Sequence, residues 1–229
     1  MKKSIAVLLT VLLMTLMVTP AFAAEPQFMK AEQLSDEALL MMAKLNVDQR
    51  SDAVKAQTKI RASANVQGIG RKSVVEPEVY VVTLLEDRKI LANGTILESY
   101  STTAISSVSD SVTESNSSQA GEVYARVYFT FQVEGSGVEG RLDYTSHKVV
   151  EDAYNANSME MTNNVYVNYD MDENSNSSTR SNPVSNSWYT LSAGATRFFP
   201  TMGLYMDAVT YGNFSNGTTL TVQAMVDNR

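Results

Sequence analysis

The single histidine of the chain, His147, is the first side chain to consider for chemistry. One histidine cannot build a multi-histidine zinc site. It could serve a Ser-His-Asp arrangement with Asp143, but the chain contains no Gly-x-Ser-x-Gly elbow and no Ser-x-x-Lys motif. The sequence therefore predicts a surface histidine on a strand, and we assign no catalytic residue.

Adjacent carboxylates occur at Glu86-Asp87, Glu151-Asp152 and Asp172-Glu173. A glycosidase needs two carboxyl groups that face each other across a cleft, one of them with a raised pKa. Adjacent side chains on a strand point to opposite faces, and these three pairs lie near expected turns. We interpret them as solvated turn acids, and a hydrolase acting on extracellular glycans remains an alternative hypothesis.

The stretch 170–181 is the best candidate for a metal site. Oxygen-bearing side chains alternate in it as they do in a calcium loop, at Asp170, Asp172, Asn174 and Asn176. The pattern then departs, because the sixth position is Ser175 instead of glycine and the twelfth is Ser181 instead of glutamate. We assign no metal ligands, and calcium binding by the Asp170–Asn176 loop is the open alternative.

Aromatic side chains could form a stacking platform for sugar rings. Tyr124 and Tyr128 are opposite in phase to Phe129 and Phe131, so the tyrosines are expected to project outward. Further candidates are Tyr166, Tyr205 and the pair Trp188-Tyr189. Tyrosine is also a common strand former on solvated faces, so a purely structural role is the alternative to binding.

The first 23 residues predict export. Lys2 and Lys3 precede an apolar run from Ile5 to Val18, and 21–23 (Ala-Phe-Ala) provides a small-x-small cleavage site. The apolar run is shorter than the roughly 20 residues that a membrane-spanning helix needs. We expect a signal peptide of bacterial style over 1–23 and a secreted, extracellular product, with an uncleaved anchor as the alternative.

The mature chain is expected to be acidic and to fold without disulfides. The whole chain carries a formal charge of −7 and contains no cysteine. An acidic body repels nucleic acid and anionic lipid, so we predict no nucleic acid partner. We expect an unknown extracellular protein or glycan as the partner, and no transmembrane segment after signal cleavage.

Residues 24–70 are predicted to be a helical segment followed by a linker. Ser35 is the predicted N-cap, and an apolar stripe follows it at Ala38, Met41, Met42 and Leu45. A second helix is predicted from Asp48 to about Ala62, and 65–73 is predicted to be the linker. Gly68 and Gly70 lack the third glycine of a dinucleotide-binding motif, so we predict no cofactor. The helical part either packs on the next domain or is a propeptide or partner-binding helix.

From residue 71 onward the sequence predicts an antiparallel β-sandwich of Ig-like or jelly-roll type. Apolar and polar side chains alternate with a period of two, which is typical of strands that cover a core from one side. A hairpin with a type I′ turn is predicted at Asn93-Gly94. The predicted strands are 78–86, 88–100 (two strands around the turn), 121–135, 140–150, 158–171, 187–199, 203–211 and 218–227.

Two polar stretches, 101–119 and 172–187, are predicted to be long loops because they are rich in Ser, Thr and Asn. Together these features favour a secreted, non-enzymatic protein with an extracellular binding or surface-associated structural role. The alternative is a pore-forming β-type toxin, since such toxins unfold polar alternating segments such as 101–119 into membrane barrels. A glycan hydrolase is the third hypothesis.

Overall fold

The structure is a computed structural model that describes residues 28–68, 77–111, 117–152, 154–167, 171–194 and 197–228. The predicted signal peptide and most of the predicted linker lie outside these residues. A short 3₁₀ turn, Ala31–Gln33, precedes helices α1 (Asp36–Lys44) and α2 (Asp52–Gln57). The strands are β1 (Ile60–Gly68), β2 (Glu78–Ile90), β3 (Ile96–Ser111), β4 (Ser117–Glu134), β5 (Gly137–Glu151), β6 (Ala156–Val167), β7 (Met171–Ser181), β8 (Tyr189–Ser192), β9 (Phe199–Pro200), β10 (Leu204–Phe214) and β11 (Thr218–Asp227).

The strands form two antiparallel sheets that pack face to face. The smaller sheet has the order β1-β11-β10-β6-β7. The larger sheet has the order β2-β3-β4-β5-β8, and β9 also pairs with β5. The predicted β-sandwich with a preceding helical segment is therefore confirmed.

The core between the sheets is filled by the residues that alternation predicts. In β4, Val123, Ala125, Val127, Phe129 and Phe131 are completely buried, as predicted from their phase. In β11, the four inward residues predicted from the sequence are buried as well: Leu220, Val222, Ala224 and Val226. Each such side chain removes apolar surface from water, which is the main source of stability in a chain without disulfides.

The predicted hairpin at residues 88–100 is confirmed, but its turn type is wrong. Gly94 has a φ of +85°, whereas Asn93 is not among the residues with positive φ. The amide of Gly94 donates to the carbonyl of Leu91 (2.9 Å), and the amide of Leu91 donates to Thr95 (2.8 Å). This is the pattern of a three-residue loop that ends in a left-handed glycine, so only one residue needs a positive φ.

Much of the two stretches predicted as polar loops is strand. Residues 101–106 of the first lie in β3 and are buried, although four of the six are Ser or Thr. In the second, β7 covers 171–181 and pairs with β6. The prediction rested on amino-acid composition and did not consider strand pairing. Ser and Thr can occupy buried strands when side chains on the adjacent strand form hydrogen bonds with their hydroxyls. Thr83 and Thr102 provide an example, with their hydroxyls 2.8 Å apart.

The helical prediction for the N-terminal segment is correct for α1 and wrong beyond α2. Ser35 caps α1 by accepting a hydrogen bond from the amide of Ala38 (3.3 Å). Asn46, with a φ of 52°, lies in the turn that follows α1. The second helix is short, because the chain becomes the edge strand β1 at Ile60. β1 pairs with β11 from Ile60 to Gly68, so that part of the predicted helix and linker belongs to the sandwich.

Close sheet packing predicts a severe effect at one glycine. A Cβ at Gly121, whose φ is +155°, would lie 2.5 Å from the Phe214 ring and 2.7 Å from the carbonyl oxygen of Val150. The backbone oxygen cannot move away independently, so Gly121→Ala is expected to lower the free energy of unfolding by about 1–3 kcal/mol. Gly137→Ala is the control, because its Cβ would meet only ordinary contact at 3.4 Å. Urea unfolding of both variants measures the difference, and equal midpoints would contradict the prediction.

Candidate binding site on the outer face of the larger sheet

Residues 31–47, which we call the cover segment, lie on the outer face of the larger sheet. The amide of Ala31 donates to the Glu86 carboxylate (3.0 Å). At the other end, Val47 accepts from the amide of Thr83 (2.9 Å), beside a parallel bridge from Asp48 to edge strand β2. The cover segment is thus held at both of its ends, and α1 lies between these two contacts.

The cover segment packs through a hydrophobic cluster of its own. Its buried side chains Ala31, Leu39 and Ala43 contact a set of outward-facing residues of the larger sheet: Val82, Leu84, Ile105 and Tyr124. Among the described residues, none of 31–47 takes part in the core between the sheets. The sheet therefore has two apolar faces, one for the sandwich and one for the cover segment.

Under the cover segment lies Arg126, an arginine only 1% exposed. Its Nε donates to Thr103 (2.7 Å), directly across the strand pair, and its Nη1 donates to the Tyr128 hydroxyl (3.0 Å). Its guanidinium carbon lies 4.0 Å from the centre of the Trp188 ring. Nη2 is buried and has no hydrogen-bond partner in the described part of the chain.

Lys148 is a second buried cation on this face, with no exposed surface. It stands opposite Tyr124 in the β4–β5 pair, with Nζ 4.2 Å from the centre of that ring and 4.8 Å from the centre of Trp188. Nζ donates to the Asp36 carboxylate of the cover segment and to the amide oxygen of Asn186 (3.1 Å). Burial lowers the pKa of the Lys148 ammonium, and the bond to Asp36 opposes that shift.

The cover segment supplies the carboxylates that face this cation pair. Asp36 binds Lys148 directly. Glu32 accepts from the Tyr128 hydroxyl (3.2 Å), which in turn accepts from Arg126. We call the group of Arg126, Lys148 and Trp188 the cation site. Because aromatic rings attract cations most strongly where water is excluded, the rings around this site partly offset the cost of burying the two charges.

An open cleft of about 320 Å³ lies beside the cation site. The Tyr128 and Tyr144 rings stack in it, with centres 4.1 Å apart and planes 19° apart. We call this cleft the tyrosine cleft. Its polar residues include Glu32, Glu86, Arg141 and Asp143. Arg141 donates through Nε to Asp143 (2.8 Å), which also accepts from the Thr130 hydroxyl (2.7 Å).

The phenols of the tyrosine cleft remain neutral hydrogen-bonding groups. Burial raises the pKa of Tyr128 to about 12, although Arg126 pulls it in the opposite direction. Burial also raises the pKa of Tyr144, and the neighbouring Tyr128 and Glu32 add to the shift. Tyr144 itself is half-buried, so part of its ring is available to a ligand. The cleft therefore combines an aromatic surface with fixed hydroxyl, carboxylate and guanidinium groups.

The prediction of a surface position for His147 is wrong. His147 is completely buried on the inner face of β5, where its ring nitrogens lie 2.8 Å from the hydroxyls of Thr145 and Thr210. Burial lowers its pKa to about 3. The pairing of β4 with β5 shifts between Tyr128 and Phe129, so Asp143 falls on the outer face. The structure therefore separates His147 from Asp143 and brings no Ser-His-Asp arrangement together at this histidine.

The prediction of solvated turn acids does not hold for every member of the three carboxylate pairs. Glu86 lies in β2 and accepts from the Ala31 amide and the Ser101 hydroxyl. Glu151 ends β5 and accepts from the Ala156 amide (2.7 Å), while its neighbour Asp152 is exposed. Asp172 and Glu173 lie in β7, and their side chains are outside the described part of the structure.

The calcium-loop pattern does not form a loop where the structure describes it. Asp170 lies outside the described residues. Asn174 and Asn176 lie in the extended strand β7, and both donate side-chain amide hydrogens to the carbonyl of Ala193. The described residues contain no group of three or more His, Cys, Asp or Glu side chains suited to a metal ion. An extended strand cannot wrap its oxygens around one ion as a turn does.

The predicted aromatic platform is divided among different environments. Tyr124 and Tyr128 do project from the outer face, but they are 1% and 6% exposed because the cover segment lies over them. Tyr166 and Tyr205 pair with each other on the smaller sheet, with ring centres 5.5 Å apart. Sequence reasoning missed Arg126, Lys148 and Tyr144. The sequence did contain a signal for these residues. Arg126 and Lys148 occupy outward-facing positions of β4 and β5, and both strands also carry tyrosines at outward-facing positions.

Comparison with family models, with curated proteins and with solved structures finds no match for this chain. The two packed sheets and the contacts of residues 31–47 define the protein as a β-sandwich with a cover segment from its own chain.

Proposed function

We propose that the protein is exported and acts as a non-enzymatic extracellular binding protein, with a glycan as the ligand of the tyrosine cleft. The observation that carries the proposal is the stacked Tyr128–Tyr144 pair beside Arg141 and Asp143. Sugar rings present apolar C–H faces that pack on aromatic rings, and their hydroxyls need fixed polar partners. Concave sites that combine apolar surface with a few placed polar groups are the usual form of small-ligand sites.

Export is supported by the N-terminal sequence and is consistent with a cysteine-free fold that depends on packing. Within the described residues, no helix combines the length and apolar character needed to cross a membrane. The pore-forming alternative depended on 101–119 as a polar segment that could unfold. Because 101–106 are buried in β3, unfolding them would expose both faces of the larger sheet, which favours a binding role over a pore-forming one.

A binding measurement with a variant of Tyr144 tests the proposal. The purified protein is screened on an array of bacterial and plant oligosaccharides, and the strongest ligands are titrated by calorimetry. Tyr144→Ala removes the half-buried ring of the stacked pair and is expected to weaken binding by at least about tenfold, as loss of one aromatic contact of about 1.5 kcal/mol would do.

Tyr211→Ala is the matched control, because Tyr211 is a half-buried tyrosine on β10 of the other sheet. It is expected to leave the affinity unchanged. Equal losses in both variants, or an array without any bound oligosaccharide, would overturn the glycan proposal. Release of reducing ends from a bound oligosaccharide would instead contradict the non-enzymatic part.

A further inference from the structure

We propose that the cation site is a binding site for an acidic amphipathic helix, and that the cover segment is its resident and exchangeable ligand. The partner is a protein segment of the same chemistry as residues 35–44: an acid in the first helical turn, followed by a leucine and methionine stripe. This site adjoins the tyrosine cleft, which Glu32 of the cover segment also lines, but the inference does not depend on a glycan ligand.

The cover segment contributes no described residue to the core between the sheets. The apolar contacts of 31–47 belong to the second cluster, on the outer face, whereas Val54 of α2 packs into the core between the sheets. Ser51, which caps α2, also bonds the Glu98 carboxylate (2.6 Å). The boundary between cover and sandwich thus falls near Asp48, and the segment before it resembles a docked peptide.

The chemistry under the cover segment is that of a recognition site for carboxylates. An apolar cover needs only apolar surface beneath it, and buried ion pairs add little stability compared with hydrophobic side chains of similar size. Here two cations are buried instead, and Nη2 of Arg126 has no hydrogen-bond partner among the residues that the structure describes. A spare guanidinium donor in a dry aromatic site fits a ligand that brings a second carboxylate oxygen.

The cover segment fits this site through a specific acid. Asp36 bonds Lys148, whereas the adjacent Glu37 is exposed and its pKa is lowered mainly by local hydrogen bonds at the helix start. The two acids share a helical turn and its dipole, but Asp36 contacts Lys148 directly, whereas Glu37 bonds at the helix start and feels Lys148 only as its smallest interaction. They therefore provide a matched pair for a test of recognition.

The turn after α1 gives access to the exchange experiment. Leu45 is 63% exposed and Asn46 is exposed with a positive φ, so a protease recognition sequence can be inserted between them. Cutting there leaves every residue of the chain present, with the part before the cut held by non-covalent contacts alone. A fluorescent synthetic peptide of residues 28–45 is then added, and its exchange into the cut protein is followed by anisotropy.

The expected result is saturable exchange of the labelled peptide at unchanged β-sheet circular dichroism. An Asp36→Asn peptide is expected to bind at least tenfold more weakly, and a Glu37→Gln peptide to bind within twofold of the native one. Lys148→Met in the cut protein is expected to remove the difference between the native and Asp36→Asn peptides.

Three outcomes would overturn the inference. The first is loss of the β-sheet dichroism on cutting, which would make the cover segment an integral part of the fold. The second is absence of exchange in a cut protein that retains its dichroism. The third is equal affinity of the native and Asp36→Asn peptides, which would show that the cation site does not recognise the acid.

Discussion

Arg126→Ala is expected to lower the free energy of unfolding by about 2–4 kcal/mol, the range for truncation of a large buried side chain. Arg126 is 1% exposed, and its guanidinium packs on Trp188 and bonds Thr103 and Tyr128. Alanine would leave a cavity under the cover segment and would leave the Tyr128 hydroxyl without its donor. Both effects act on the folded state alone.

Arg126→Met is expected to lower the free energy of unfolding much less than Arg126→Ala does. Methionine fills much of the same volume and packs well on aromatic rings, but it carries no charge to desolvate. Methionine also leaves the Tyr128 hydroxyl without its donor, but it leaves a smaller cavity than alanine and removes the cost of burying a charge, so the free energy of unfolding is expected to stay within about 1 kcal/mol of the wild-type value. A stable methionine variant that no longer binds an acidic helix would show that the arginine serves recognition.

Urea unfolding followed by tryptophan fluorescence measures both variants, since Trp188 is the only tryptophan and contacts Arg126. Arg61→Ala is the control. Its side chain is 55% exposed in a pair with Asp227, so the expected change is below about 1 kcal/mol. A methionine variant destabilised as much as the alanine variant would contradict the argument and assign Arg126 a structural role.

The layered β-sandwich could be predicted because strand periodicity reports which face meets the core. In β11 the inward and outward side chains alternate along the strand, and the predicted inward residues are the buried ones. The predicted strand 218–227 even has the bounds of the observed one. In β5 the same reasoning was weaker, because the pairing shift near Tyr128 changes the phase between Leu142 and Thr145.

The polar parts of the fold could not be predicted from composition. Thr102 and Thr103 read as loop residues, yet they are 0% and 1% exposed. Thr102 lies opposite Val127 and faces the core between the sheets, whereas Thr103 lies opposite Arg126 on the outer face. The burial of both therefore depends on residues that are distant in the sequence. The same cause explains the candidate site. Tyr124 and Lys148 occupy outward positions in their strands, and they are buried there by α1 together with Trp188 and Asn186.

Acidification is expected to destabilise the protein through His147. Its pKa is lowered to about 3 in the folded protein by burial, against 6.5 for an ordinary histidine. The neighbours that bond its ring, Thr145 and Thr210, are uncharged, so no carboxylate is bonded to an imidazolium. Below pH 6.5 the unfolded chain therefore binds a proton that the folded chain does not, and stability is lost as the pH falls from 6.5 towards 3.

The size of this effect can be isolated with His147→Gln, which keeps a hydrogen-bonding side chain and removes the titration. Between pH 7.5 and pH 5 the wild-type protein should lose about 2 kcal/mol more than the variant in urea unfolding. The comparison also cancels Asp207, since burial raises its pKa and protonation of this carboxyl opposes the histidine effect at low pH. Equal pH dependence of the two proteins would mean that His147 accepts a proton in the folded state, which would require water or a carboxylate to reach the core between the sheets.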